Sequence, residues 1–521
     1  MSERRELALV GVLALIWAAV LAVLITQPGY TDAYYYYNAA RRLAEGQGLS
    51  DPYLWTYFNA PGHLPGPSHT YWMPLESLVA AVSLALLGTT FRAAQVPSVL
   101  SYAALIMLAY GMGRSLGNSR RHGWIAALLV VFSGFYVPFW VTTDTFALYG
   151  IIGALALLSS GRAVQGGGDR WFFLGGMLGA LAHLARADGV LLALGVLGAS
   201  ITRREVSGWR GLLRAAGAGL LGYLLVMAPW FARNLSVLGT PLPLGGADAI
   251  WLRSYDDLVR YPPGSSMADF LAWGIGPILR SRLTAFLNNL GTLVAVETWV
   301  VLGPFAVIGI WRLRQDFAIR CFVLYAIALH LLMTFVFAFP GYRGGLFHSS
   351  SALLPFWAVT ASVGLEVAIA WAARRRRWRY LEARRIFSAA AVILALALTV
   401  STLRARLAGW NTNANSYRRL AELLPPEAVV MVNDPPALYY HTGLAGVVVP
   451  NASPDVLPEL AARYGVTHLR LDVDRTAPFS GLFLGRETRP YLRLIYREGE
   501  ETTDRADDWF LFAIERADDT H

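Results

Sequence analysis

The chain has 521 residues, 55% of them hydrophobic and only 15% charged, with a mean hydropathy of +0.43. That excludes an ordinary soluble domain and points to a polytopic membrane protein. All 44 basic residues are arginine, which excludes Schiff-base or P-loop lysine chemistry and leaves arginine as the permanent cation for phosphate. The net charge of +9 sits largely in short loops between apolar runs, so it is no nucleic-acid signal, and the single Cys321 excludes a disulfide framework.

From the N-terminus, Met1-Ser-Glu-Arg-Arg precedes an apolar run without a small-residue cleavage site, so a retained first span is expected rather than a signal peptide. Apolar stretches long enough to cross a bilayer lie near residues 7–26, 92–113, 122–140, 145–159, 171–185, 188–202, 211–232, 289–311, 321–339, 349–371 and 386–402. They predict an α-helical polytopic protein with about eleven transmembrane helices. The stretch from Met73 to Gly88 is shorter and carries Glu76; it reads as a helix lying on the membrane surface. Arg4/Arg5, Arg114/Arg120/Arg121, Arg162/Arg170, Arg203/Arg204/Arg210, Arg312/Arg314/Arg320 and Arg374–Arg377 fall in alternate short loops. By the positive-inside rule these loops and the N-terminus are cytoplasmic. Counting Met73–Gly88 as a crossing would reverse every later span. The first outer loop (27–90), the 143–145 turn, the second large loop (233–288), the 340–348 turn and the tail are therefore expected outside.

Two outer features stand out. Asp32 follows the first span and precedes Tyr34-Tyr35-Tyr36-Tyr37. Tyrosines favour the headgroup layer, so an acid is expected there in a shaped setting, with N-capping of a surface helix as the plain alternative. After about residue 403 the pattern changes to short apolar strands alternating with helices, at Leu424–Asp434, 455–464, His468–Asp472 and Leu492–Tyr496. This predicts a small α/β extracytoplasmic accessory domain over 403–521, beside a membrane module over 1–402. It contains neither a glycine-rich phosphate loop nor a nucleophile elbow.

Four segments together resemble the GT-C superfamily of integral-membrane glycosyltransferases, in the branch of protein O-mannosyltransferases and aminoarabinose transferases. They are Asp32-Ala-Tyr-Tyr-Tyr-Tyr-Asn-Ala-Ala-Arg-Arg-Leu-Ala-Glu-Gly, Tyr71-Trp72-Met73-Pro74-Leu75, Thr142-Thr143-Asp144-Thr145-Phe146 and Arg343-Gly-Gly-Leu-Phe-His348-Ser-Ser-Ser-Ala-Leu-Leu-Pro355. Met73 stands where relatives often carry the first of two prolines. The resemblance covers roughly residues 1–400 and implies a polyprenyl-phosphate-sugar donor, a single inverting displacement and an acceptor on the outer face, whether protein, lipid or polysaccharide.

On that resemblance Asp32 is the candidate base, its pKa raised by burial and lowered by any nearby arginine. Asp144 is a second acid that orients the acceptor, holds a metal or caps its helix. Paired acids suit Mg or Mn, and the sequence leaves a divalent cation open. A departing phosphate needs positive charge; Arg343, in a glycine-rich turn, is the candidate, with His348 sharing the task. Arg186 either pairs with Asp188 or lines the donor cavity. Tyr35, His63, His69, Tyr71 and Trp72 are candidate sugar or acceptor contacts, though a proline-rich loop rigid against headgroups would use the same residues. The expected setting is a prokaryotic cytoplasmic membrane, with lipid contacts along the arginine-rich loops. A transporter or flippase for lipid-linked sugars is the alternative; it would show broken helices at mid-membrane.

Overall fold

The computed structural model describes residues 3–58, 60–243, 245–498 and 508–515. Met1 and Ser2 of the N-terminal segment, Asn59 of the proline-rich loop, Leu244, and residues 499–507 and 516–521 of the expected tail domain lie outside the described residues. Helix α1 (Glu3–Leu24) is followed by α2 (Thr31–Ala44) and α3 (Leu75–Leu87), the two helices expected in the first outer loop. On α1, Leu13, Ile16, Val20 and Val23 remain exposed, which is stable only where the solvent is lipid.

Helical structure falls on every apolar stretch expected to span. Seven described helices are long and apolar enough to cross a membrane: Glu3–Leu24, Phe91–Leu116, Phe146–Val164, Ser207–Leu238, Phe317–Val336, Ala338–Arg376 and Tyr380–Leu423. The other expected stretches hold helices that are short, as in Asp169–Ala185 and Val190–Ala199, or divided. Residues 122–140 form a helix, Arg120–Val131, and a separate turn, Gly134–Phe139. The 289–311 stretch is broken: a π turn, Thr292–Glu297, separates Ile275–Gly291 from Gly303–Leu313. Trp299 and Val300 in that break have φ of +48° and +67°, a costly backbone for a β-branched residue. Helices pack through small residues, as expected where lipid removes the hydrophobic drive. A Cβ on Gly309 would lie 1.9 Å from the Thr360 carbonyl oxygen, so only glycine allows that crossing.

Tyr380–Leu423 continues as one helix through residue 402 into the tail. The loop over 27–90 contributes β1 (Ser50–Asp51), β2 (Tyr53–Leu54) and β3 (Gly66–Pro67). The tail contributes β4 (Val429–Val432), β5 (Ala445–Val448), β6 (His468–Asp472), β7 (Leu492–Glu498) and β8 (Trp509–Ile514). They form a six-stranded sheet in the order β2-β5-β4-β6-β8-β7, while β1 pairs with β3. The β2, β5, β4 and β6 strands are parallel, with β8 antiparallel to β6. Val430, Met431, Val432, Val447, Leu469 and Leu471 are buried, the continuous apolar runs of a sheet covered on both faces. Its edge strand β2 comes from residues 53–54, so the 27–90 loop and the tail share one sheet.

That sharing corrects the expectation for the tyrosines. Tyr34, Tyr35, Tyr36 and Tyr37 are 2%, 1%, 1% and 5% exposed, packed in protein rather than facing headgroups. The loop and the tail close over α2, and each ring finds an aromatic partner: Tyr440 for Tyr34, Trp72 for Tyr35, His69 for Tyr36 and Phe91 for Tyr37.

Candidate active site

Asp32 is placed by the turn between α1 and α2. Gly29 has φ +93°, and a Cβ there would lie 2.3 Å from the Trp410 ring, so the turn requires glycine. Helix α2 is preceded by Tyr30 at its cap position, without a side-chain capping bond. Asp32 is in the first turn and does not cap, which removes the plain reading. The Thr142–Thr145 turn is held against α2 by the Thr143 hydroxyl, which donates to the Ala33 carbonyl at 2.6 Å. This brings Asp144 beside Asp32.

Asp144 is fully buried and well supplied with donors. Its Oδ1 accepts from the Thr145 amide at 2.5 Å and the Thr145 hydroxyl at 3.2 Å; its Oδ2 accepts from the Tyr30 hydroxyl at 2.8 Å. His348 Nε2 lies 2.8 Å from the same Oδ2 and 3.6 Å from Asp32 Oδ2. His348 Nδ1 donates to the Gly344 carbonyl at 2.8 Å, and the ring stacks on Phe146 at 4.1 Å. With a hydrogen committed at Nδ1, a proton is also required between Nε2 and the two carboxylates.

The two acids are driven apart. Burial, then the Asp144 charge, pushes the Asp32 carboxyl up to about 6, against the pull of His348 and Arg186. Burial pushes Asp144 up as well, but His348, the Thr145 amide and Arg186 together hold it below the usual carboxylate range. Asp32 keeps 26% of its side chain exposed while Asp144 keeps none. The more exposed acid is therefore the one whose pKa is raised.

Arg186 Nε lies 3.3 Å from Asp188 Oδ1 and donates to the Ser349 hydroxyl at 3.0 Å, and its charge acts on both Asp32 and Asp144. Arg186 thus makes the Asp188 pair, and its charge also reaches the two acids. Arg343 stands farther out, its guanidinium 5.1 Å from the centre of the Tyr255 ring. Tyr255 feels both the Asp32 charge and the Arg343 charge, so it is near both groups. Tyr71 also feels the charges of Asp32 and Arg186.

The remaining candidates lie elsewhere. Tyr35 accepts from the His69 amide at 2.5 Å, and His69 is wholly buried between the Ser68 and Ser77 hydroxyls. Trp72 stacks on Trp55 at 3.8 Å, and His63 is exposed. Two residues near the acids were not singled out from sequence. Tyr36, one turn after Asp32, feels the charges of Asp144, Arg186 and Asp32; the i, i+4 spacing was the available signal. Glu76 is fully buried, accepts from the Ser98 hydroxyl at 3.2 Å, and is pushed up to about 8 by burial and the Asp144 charge. Its position on a surface helix gave no such signal.

Residues 68–232 match the family model described as dolichyl-phosphate-mannose-protein mannosyltransferase, which is under half of the chain. No curated protein sequence matches. Among solved structures, ArnT from Cupriavidus metallidurans bound to undecaprenyl phosphate is 16% identical, covering 98% of each chain with a TM-score of 0.58. The apo form of that protein gives 15% identity, 96% and 97% coverage and a TM-score of 0.60. The archaeal oligosaccharyltransferase AglB from Archaeoglobus fulgidus, in complex with an inhibitory peptide and a dolichol-phosphate, is 10% identical. It covers 91% of this chain and 70% of its own, with a TM-score of 0.53.

Proposed function

We propose that this chain, whose fold is that of the GT-C superfamily of integral-membrane glycosyltransferases, transfers a sugar from a polyprenyl-phosphate donor to a hydroxyl acceptor. The observation that carries the reading is the unequal acid pair. Asp32 is partly open with a raised pKa, beside an ionised, buried Asp144 joined to it through His348. The acceptor oxygen attacks the anomeric carbon while Asp32 Oδ takes its proton. The bond from that carbon to the phosphate oxygen breaks, its electron pair leaves with the lipid phosphate, and the anomeric configuration inverts. Asp144 and Gly344 fix the orientation of His348, and Arg186 and Arg343 supply positive charge for the departing phosphate.

The alternating arginine loops support about eleven crossings with this site outside. Asp32, Asp144 and His348 offer ligand atoms within 4.8 Å of one another, and the His348 Nδ1 bond to a carbonyl is the outer-shell contact that metal-binding histidines use. The set fits a divalent cation such as Mn or Mg, which when bound would add positive charge beside the phosphate. The test of the reading is Asp32→Asn in the purified, folded protein, assayed with a panel of synthetic polyprenyl-phosphate sugars by counting polyprenyl phosphate released. Loss of at least a hundredfold is expected; near-normal turnover would remove Asp32 as the base.

One observation favours the transport alternative. The broken helix over 275–313 carries the fully buried Glu297, 3.1 Å from His330 Nε2 and accepting from Trp357 Nε1 at 2.8 Å. Intramembrane charges of this kind mark functional sites. Lipid flipping in liposomes without sugar release would support that reading instead.

A further inference from the structure

The tail contacts the segment carrying Asp32 along its whole length. Gln27 Nε2 donates to the Trp410 carbonyl at 3.1 Å and to Asn411 Oδ1 at 3.2 Å. Gly29 lies against the Trp410 ring, and Tyr30 stacks on it with ring centres 5.7 Å apart. The Thr31 hydroxyl donates to Asp434 Oδ2 at 2.7 Å. The Tyr34 hydroxyl and His441 Nε2 are 2.9 Å apart, and Asn38 Nδ2 donates to the Pro436 carbonyl at 2.8 Å. All five of these partners lie on or at the cap of one short helix, Pro435–Thr442, or on the extension of the Tyr380–Leu423 helix beyond residue 402.

Asp434 has the central place in this grip. One oxygen accepts from the Ala437 amide at 3.0 Å and caps the Pro435–Thr442 helix; the other accepts from Thr31. A single carboxylate therefore fixes the start of a tail helix and the first turn of α2, one residue from Asp32. An accessory domain on a linker would contact the membrane module at its rim. This one reaches beneath the first turn of the helix that presents the reactive acid.

We infer that Asp434 is a positioning residue for Asp32, acting through Thr31, and that the Pro435–Thr442 helix it caps is the part of the C-terminal module that holds this acid in place. The inference rests on the reading of Asp32 as the base. A base must stand within hydrogen-bond reach of the proton it removes, and a displacement of about 1 Å costs up to about a hundredfold in rate. The Thr31–Asp434 bond determines where the first turn of α2 sits, and so where Asp32 Oδ2 points.

The test uses the full-length protein in detergent with the same panel of polyprenyl-phosphate sugars. Thr31→Val keeps the shape and removes the hydroxyl; kcat should fall about tenfold with donor KM within about twofold. Thr31→Ser, which restores the donor, should recover most of that loss. Asp434→Ala should behave as Thr31→Val, and Asp434→Asn, whose oxygen still caps the Ala437 amide while its NH2 donates to the Thr31 hydroxyl oxygen, should retain most activity. If Asp434→Ala does not fold, the Thr31 pair decides the question. Arg489→Ala, which opens the Asp455 pair on another part of the domain, serves as the control and should leave kcat unchanged. Wild-type kcat in Thr31→Val, or an equally slow Thr31→Ser, overturns the inference. Asp32→Asn assayed in parallel separates the two levels. If it is inactive while Thr31→Val is normal, only the positioning role falls; if it is active, the base assignment falls and this inference with it.

Discussion

Asp32→Asn should destroy activity and stabilise the fold, and the second effect has a calculable size. In the folded protein the carboxyl is pushed from the ordinary 3.8 up to about 6, equivalent to about 3 kcal/mol in favour of the neutral form. The sign follows from linkage. Below about pH 4 the group is protonated whether the chain is folded or not, and nothing is lost. Above about pH 6 it is ionised in both states, and the folded state bears the whole cost. Asp32→Asn has the shape of the neutral acid and bears none of it. Thermal unfolding in detergent, followed by tryptophan fluorescence without donor lipid, should therefore show the variant several degrees more stable than wild type at pH 7.5. The gap should close near pH 4. A variant less stable at pH 7.5, or a gap independent of pH, would refute the argument that burial and Asp144 strain this carboxyl.

Because the base must be ionised, wild-type kcat/KM should fall about tenfold between pH 7 and pH 5. Asp144→Asn, which removes a neighbouring charge, should move that acid limb to lower pH, and Arg186→Met should move it to higher pH. His69, pulled down to about 3 by burial and Arg233, is neutral at physiological pH; His69→Ala should cost about 2 kcal/mol of stability and leave donor KM unchanged, measured by unfolding and by turnover. Because Asp32, Asp144 and His348 offer ligand atoms within 4.8 Å of one another, turnover should fall with EDTA and return with added Mn; turnover unchanged by EDTA would leave the three as a hydrogen-bonded cluster without a cation.

The membrane part was legible because its signals are local. Length and apolarity name a lipid-facing helix without reference to any neighbour, and all the expected stretches are helical. Where the chain breaks inside a stretch, as at Trp299–Val300, composition stays apolar and the break leaves no mark. The reactive cluster was legible in part: Asp32, Asp144 and His348 meet, although they are far apart in sequence. Tyr36 was missed although helical spacing points to it. The four tyrosines were misread because their surroundings come from elsewhere: β2 joins a sheet whose other strands begin at Val429. A two-residue strand has no periodicity to read, so nothing in residues 50–55 announces that partnership.

The same long-range closure explains how a strained acid is tolerated. A carboxyl raised to about 6 works against folding at neutral pH, so the structure around it must over-determine its position. Local helix propensity cannot do this, since α2 has no side-chain cap and four tyrosines in its first turns, residues of modest propensity. The restraint comes from Trp410, Asp434, Pro436 and His441 on one side and from Thr143 and His348 on the other. Truncating the tail would release the side that contains Asp434 and relieve the strain, so the carboxyl would relax toward ordinary acidity and turn away from its partners. On that argument a chain cut after the last span loses rate before it loses donor affinity. The geometry around Asp32 is thus a property of the closed molecule, not of the membrane helices alone.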